Sequence, residues 1–209
     1  MAGCDGPVMR LLVLDASLDR CLAALVEGGA VLALREAAGT HGQASALPPL
    51  VEAVLAEGPA PEGVAVCIGP GSFTGIRTAL ALGLGIAMAR RIPCIPVSMG
   101  EALAAACGPG APVWSILGDR RSRFYLEGAG PPMTLAEADL PRPDGLVRLA
   151  GDGAALAAAR LLARGDRALL TALRRPEAEH LAAAALARQA GALAPREAAP
   201  LYVAPPATT

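Results

Sequence analysis

None of the 18 basic residues in this 209-residue chain is a lysine. That absence excludes a lysine Schiff base, and it excludes the phosphate-binding lysine of a Walker loop. Aromatics are nearly missing as well: two Phe, two Tyr and one Trp make up 2% of a sequence that is 54% hydrophobic. The core must then be Leu, Val and Ala, and stacking of bases on aromatic platforms is a poor match. The two histidines, His41 and His180, are too few for a multi-histidine metal site. A formal net charge of −1 provides no basic field to attract nucleic acid. The five cysteines, Cys4, Cys21, Cys67, Cys94 and Cys107, are odd in number, widely spaced and without a CxxC pair. They read as buried thiols in a reducing compartment rather than as disulfides or a zinc site. Long apolar runs are lacking too. The longest, residues 78–89, is bounded by Arg77 and Arg90 and falls short of the roughly 20 residues a bilayer needs. The N-terminal apolar run stops at Asp15, so no signal peptide is expected. Residues 1–7 read as a loose leader with Met1 or Met9 as the start. A cytoplasmic protein is expected.

What is present is an alternation of strands and helices. VMRLLVLDAS reads as a buried strand ending at Asp15, and two further strand-like runs meet at Gly28-Gly29, a hairpin signal. Leu47, Leu50, Val51, Val54 and Leu55 recur at helical spacing up to a stop at Gly58. Pro48 and Pro49 place the start of that helix, or a kink, early in it. GVAVCIG is a continuous apolar strand of the kind buried on both faces. A helix over about 74–90, the strand CIPVS and an alanine-rich helix over about 99–106 follow. The order is β-β-β-α-β-α, and CGPGAP marks a boundary. The second half repeats the plan more loosely: PVWSILGD ends in Asp119 as the first strand ends in Asp15, and a Gly-Asp-Gly turn precedes a helix. Another strand and helix follow, then a strand-like PLYVA. The expected lobes are residues 8–107 and 108–209.

Gly69, Gly71 and Gly75 form GxGxxxG, one residue longer than the dinucleotide fingerprint. The strand after it ends at Val97-Ser98 without the acid that would hold a ribose, and Pro70 breaks a GxSxG elbow at Ser72. Two readings remain. One is weak anion or nucleotide contact at a helix N-terminus, with Asp15, Gly69, Gly71, Ser72 and Gly75 around it. The other is a tight turn needing glycine dihedrals, with Ser72 or Thr74 as N-cap. The missing charged partners favour the turn.

The following helix carries more information. From Ala79 to Ala89 every residue is apolar or glycine, leaving no polar stripe for water. Ala79, Gly83 and Ala87 line up at i, i+4 and i+8, a smooth strip where a second helix could approach closely. Gly83 and Gly85 each cost about 1 kcal/mol against alanine in a helix, which close packing would offset. The partner is either the 47–57 helix with the rest of the same chain, or another subunit. Catalytic constellations are poor. His41 lies near no obvious acid, His180 sits in an alanine-rich helix, and no nucleophile–base pair for a peptidase is recognisable. Asp15 and Asp119, at strand ends, could hold magnesium or phosphate in a cleft, or simply form turns.

LVLDAS, THGQASALPPLVEAVL, GPGSFTGIRTALALGLGIA, DRRSRFY, GDG and PLYVA occur in the order found in the TsaB (YeaZ) family, which the chain resembles over nearly its whole length. The resemblance implies a two-lobed actin-like α/β fold of the Hsp70/hexokinase (ASKHA) type with a degenerate second lobe. It implies a scaffold rather than a catalyst, with no cofactor of its own and ATP or ADP only at the level of a complex. The implied partners are TsaD, which transfers threonylcarbamoyl to tRNA, and TsaE, with tRNA met indirectly and self-association through the same surface. That surface maps to Leu47, Leu50, Val51 and Val54 on one helix and to Arg77, Ala79, Leu80, Gly83, Leu84 and Ala87 on the next. Ser45 stands where the partner carries a second metal-binding histidine. Ala204 stands where the family usually has arginine, and THGQAS is less charged than usual. The competing expectation is an independent ATP-dependent small-molecule kinase of the same fold, built on Asp15, Asp119 and the glycine turn.

Overall fold

The structure, a computed structural model, describes residues 8–39, 42–118 and 123–203. Asp119, His41 and Ala204 lie outside the described residues, and nothing is concluded about the roles expected for them. The chain divides into two compact units, residues 1–98 with 177–201 and residues 99–176 with 202–209.

The first unit holds β1 (Leu11–Asp15), β2 (Arg20–Glu27), β3 (Ala30–Ala38), α1 (Gln43–Glu57), β4 (Gly63–Cys67), α2 (Phe73–Arg90) and β5 (Cys94–Val97). The strands lie in the order β3-β2-β1-β4-β5, with β1 antiparallel to β2 and parallel to β4. Gly28 and Gly29 both have positive φ, 56° and 82°, as the expected two-residue hairpin requires. β1 is LLVLD, apolar up to its final residue and buried throughout, because helices cover both faces of the sheet. Leu12, Leu14, Cys21, Ala23 and Leu25 face one side, where α1 and α2 bring Leu47, Val51, Val54, Ile76, Ala79 and Leu80. The opposite side carries the equally buried Leu11, Val13 and Leu22 and receives α5 (Ala178–Gln189) through its contacts with β5, β2, β4 and β1. α1 begins at Gln43, a turn earlier than Leu47, after Gly42 in the left-handed conformation. Pro48 and Pro49 therefore lie inside the helix rather than at its start.

The second unit repeats the first. It contains α3 (Met99–Cys107), β6 (Val113–Gly118), β7 (Arg123–Glu127), β8 (Met133–Ala136), β9 (Val147–Ala150), α4 (Ala154–Ala163) and β10 (Ala168–Leu170). Its sheet order, β8-β7-β6-β9-β10, matches β3-β2-β1-β4-β5 strand for strand. A 3-10 turn at Glu137–Asp139 stands where α1 would be, which is the degeneracy expected of this half.

The two units do not break at residue 107. α3 packs on β6, and Gly100 donates its N–H to Glu127 Oε2 at 2.8 Å, where a Cβ would come within 2.5 Å of the same oxygen. α5 belongs to the first unit instead. Its N-cap Glu177 pairs with the buried Arg20 at 2.7 Å, and Arg188 near its end donates to the Pro96 carbonyl. Each unit thus takes a helix from the other half of the sequence, a correction to lobes of 8–107 and 108–209. Of PLYVA, the described residues 200–203 form no strand; Leu201 donates its N–H to the Ile68 carbonyl at 2.9 Å. Among the described residues no helix is long and apolar enough to cross a membrane.

Candidate functional site

β4 delivers the chain into Gly69, Pro70 and Gly71, and Ser72 then caps α2, its Oγ accepting the Gly75 N–H at 3.2 Å. The Gly69–Pro70 peptide is cis. Several polar groups of this turn are used within the chain. Asp15 is 2% exposed, and its Oδ1 accepts both the Ser17 hydroxyl at 2.6 Å and the Ser17 N–H at 2.9 Å. That bends the chain after β1 so that the Ser17 carbonyl meets the Ser72 N–H at 2.6 Å. A Cβ on Gly71 would fall 2.0 Å from that carbonyl oxygen, so glycine is needed for the close approach. One donor at this helix start, the Ser72 N–H, is thus given to the protein's own backbone. The second unit makes the same lock. Gly153 donates to the Ile116 carbonyl at 3.0 Å, and a Cβ on Gly151 would lie 2.2 Å from its oxygen. Both turns stand out in the sequence, but their equivalence does not.

α2 is buried along one face only. Ile76, Ala79, Leu80, Gly83 and Ala87 form that face. The nearest atoms to a Cβ on Gly83 would be Val64 Cγ1, Leu14 Cδ1 and Val66 Cβ, at 3.4–3.6 Å. The strip of small residues therefore lets the helix approach its own sheet, not another subunit. Leu47, Val51 and Val54 of α1 are likewise buried in this core and Leu50 packs against it. Of the ten residues expected at a partner surface, only Arg77 and Leu84 are exposed.

The outward face is a different one. Arg77, Ala81, Leu84, Gly85 and Met88 recur at i, i+4, i+7, i+8 and i+11 and are exposed, Leu84 to 40% and Met88 to 81%. The Phe73 ring, 41% exposed at the start of this face, lies under the Arg77 guanidinium at 3.9 Å from its centroid. α1 lies beside α2 and presents Pro49, Glu52 and Ala56 to solvent. Met88 was within the helix the sequence singled out. It was missed because an all-apolar helix has no polar stripe to orient it.

The remaining candidates have structural roles. His180 Nδ1 accepts the Glu177 N–H at 3.0 Å, completing a capping box at the start of α5. Cys21 and Cys67 are buried, Cys94 and Cys107 partly so, and all four are free thiols. Burial pushes the Cys67 thiol well up, with the nearby Asp15 carboxylate acting the same way, and burial raises Cys94 to about 11. Such thiols are poor nucleophiles at neutral pH. Among the described residues no three His, Cys, Asp or Glu side chains gather as a metal site would require.

Two five-stranded sheets of matching order, with a glycine-locked strand-to-helix turn in each, define a two-lobed actin-like α/β protein. A family model described as TsaD, tRNA N6-adenosine threonylcarbamoyltransferase, matches residues 35–129. The TsaB tRNA threonylcarbamoyladenosine biosynthesis protein of Haemophilus influenzae is 33% identical over 103 residues, covering 47% of this chain and 43% of that protein. The chain thus aligns with less than half the length of that relative. Among solved structures, a Pseudomonas aeruginosa protein described as similar to peptidase YEAZ superposes with a TM-score of 0.73 at 28% identity, covering 94% of this chain and all of that one. YeaZ from Pseudomonas aeruginosa gives 0.71 at 28% identity, with 93% and 99% covered. In sequence and in fold the chain is similar to the TsaB and YeaZ proteins.

Proposed function

We propose that the chain works in threonylcarbamoyladenosine formation on tRNA as a non-catalytic scaffold, binding a TsaD-type transferase through the outward face of α1 and α2. The observation that carries this reading is the run of Ala81, Leu84, Gly85 and Met88 on the solvent side of α2. An exposed apolar helix face beside a second helix is a common docking surface, and two small residues on it let a partner helix come close. The similarity to TsaB and YeaZ supplies the pathway and the kind of partner. A TsaE-type ATPase joins the pair, tRNA is met through the transferase, and in its absence two copies of this chain associate by the same face. Nucleotide belongs to the assembled complex, because the Ser72 N–H and the Asp15 carboxylate are already paired within this chain. The same pairing weighs against an independent kinase.

The affinity of the purified chain for the transferase of the same organism tests the proposal. Met88→Arg puts a charge on the exposed face without touching the core, and the expected result is at least a tenfold loss of affinity with unchanged thermal unfolding. Undiminished binding by that variant would remove α2 from the interface. Gly83→Arg is the wrong probe, since its side chain would enter the packing against β1 and β4.

A further inference from the structure

Among the described residues after α5, 190–203, there is no helix or strand, yet the segment returns to the first unit at one defined point. Leu201 donates its N–H to the carbonyl of Ile68 at 2.9 Å. Ile68 is the last residue before the glycine turn, and its own N–H is held by the Val97 carbonyl at 2.9 Å. The Ala198 and Leu201 side chains pack on the cluster that contains Ile68 and Ile76. Ile76 is in turn the side chain closest to Gly69, with its Cδ1 2.6 Å from where a Cβ would be. The preceding residue is Pro200, which has no N–H, so Leu201 supplies the donor at that step.

We propose that residues 198–201 are a clamp that fixes the glycine turn and, through it, the first turn of α2, making Leu201 a positioning residue for the docking face. The link to docking rests on the scaffold reading above; the clamp itself does not. Its physical basis is simple. The Ile68 carbonyl is buried, and without Leu201 it has no partner at the point where β4 becomes the turn, which favours local opening there over opening elsewhere in the sheet.

Hydrogen exchange of this chain tests it. Leu201→Pro removes the donor, and Leu201→Ala keeps the donor but removes the packing. The Ser72 and Ile76 amides, bonded to Ser17 and Ser72 carbonyls, are expected to exchange about tenfold faster in Leu201→Pro, while Val64, bonded to Pro93 within the sheet, is unchanged. Leu201→Ala is expected to loosen the same two amides severalfold, and it serves if the proline variant does not fold. Unchanged exchange at 72 and 76, or equal acceleration at 64, would overturn the clamp. Affinity for the transferase should fall in step with the exchange; faster exchange with full affinity would break the link to docking. Full affinity in Met88→Arg would instead count against the scaffold surface and leave the exchange result standing.

Discussion

Replacing Gly71 with alanine would put a methyl group 2.0 Å from the Ser17 carbonyl oxygen and 2.7 Å from its carbon, where ordinary contact begins near 3.4 Å. Both atoms are backbone, so the obstruction cannot turn aside as a side chain would. The Ser17 turn must retreat by more than an ångström, which breaks the 2.6 Å bond from the Ser72 N–H and disturbs the Ser17 bonds to Asp15. A lost buried hydrogen bond costs about 1–3 kcal/mol and forced overpacking about as much again, so the variant should lose about 3 kcal/mol. With a urea slope of about 2 kcal/mol per molar, the unfolding midpoint falls by about 1.5 M. Gly85→Ala is the internal control. That position is helical and exposed, with nothing within 4 Å of an added methyl, so alanine should stabilise by about 0.5–1 kcal/mol. The lock is refuted if Gly71→Ala unfolds within about 0.2 M of the wild type, the resolution of such curves.

Three further outcomes follow from the same geometry. Arg148 donates to the carbonyls of Cys107, Gly108 and Ala111, each at 2.8 Å, holding the loop after α3. Arg148→Met should cost about 2 kcal/mol and lower the melting temperature by about 4–8 °C in calorimetry. In the second unit Gly151→Ala should also destabilise by about 3 kcal/mol, read by the same urea titration, because its methyl would fall 2.2 Å from the Ile116 carbonyl oxygen. The thiols give a pH dependence. An unfolded cysteine loses its proton near the reference value of 9.0 and the folded Cys94 only near 11, so the folded state binds more protons in between. Stability is unaffected by Cys94 below pH 9 and declines from there to pH 11; urea midpoints across that range should fall less steeply in Cys94→Ala.

The strands were the most legible part of the sequence. LLVLD and GVAVC are apolar without alternation because helices cover both faces of their sheet, and Gly28-Gly29 sits where a two-residue hairpin needs two positive φ angles. The repeat was visible in the order of elements. The facing of α2 was not legible. Ala79, Gly83 and Ala87 look like a strip for a partner, but Ala81, Leu84 and Met88 are as apolar, and only the sheet decides which set is covered. The exchange of α3 and α5 was hidden for a related reason, since two short alanine-rich helices suit either sheet. Side chains outside any motif decide it: Glu127 reaching Gly100, and Arg20 reaching Glu177. The glycine turn resembled a phosphate cradle because tight strand-to-helix turns and phosphate loops need the same backbone freedom. The difference lies in the Ser17 carbonyl, which comes from the end of another strand.

A subunit that activates a transferase by docking through the outward face of α2 is tested most directly by reconstituted transfer of threonylcarbamoyl to tRNA, with the transferase and ATPase partners held constant. This chain should stimulate modification. Leu84→Arg with Met88→Arg should abolish the stimulation without changing thermal unfolding, and Gly85→Ala, which adds only a methyl group, should not. Full stimulation by the double variant, or modification of tRNA by this chain alone, would contradict the docking role.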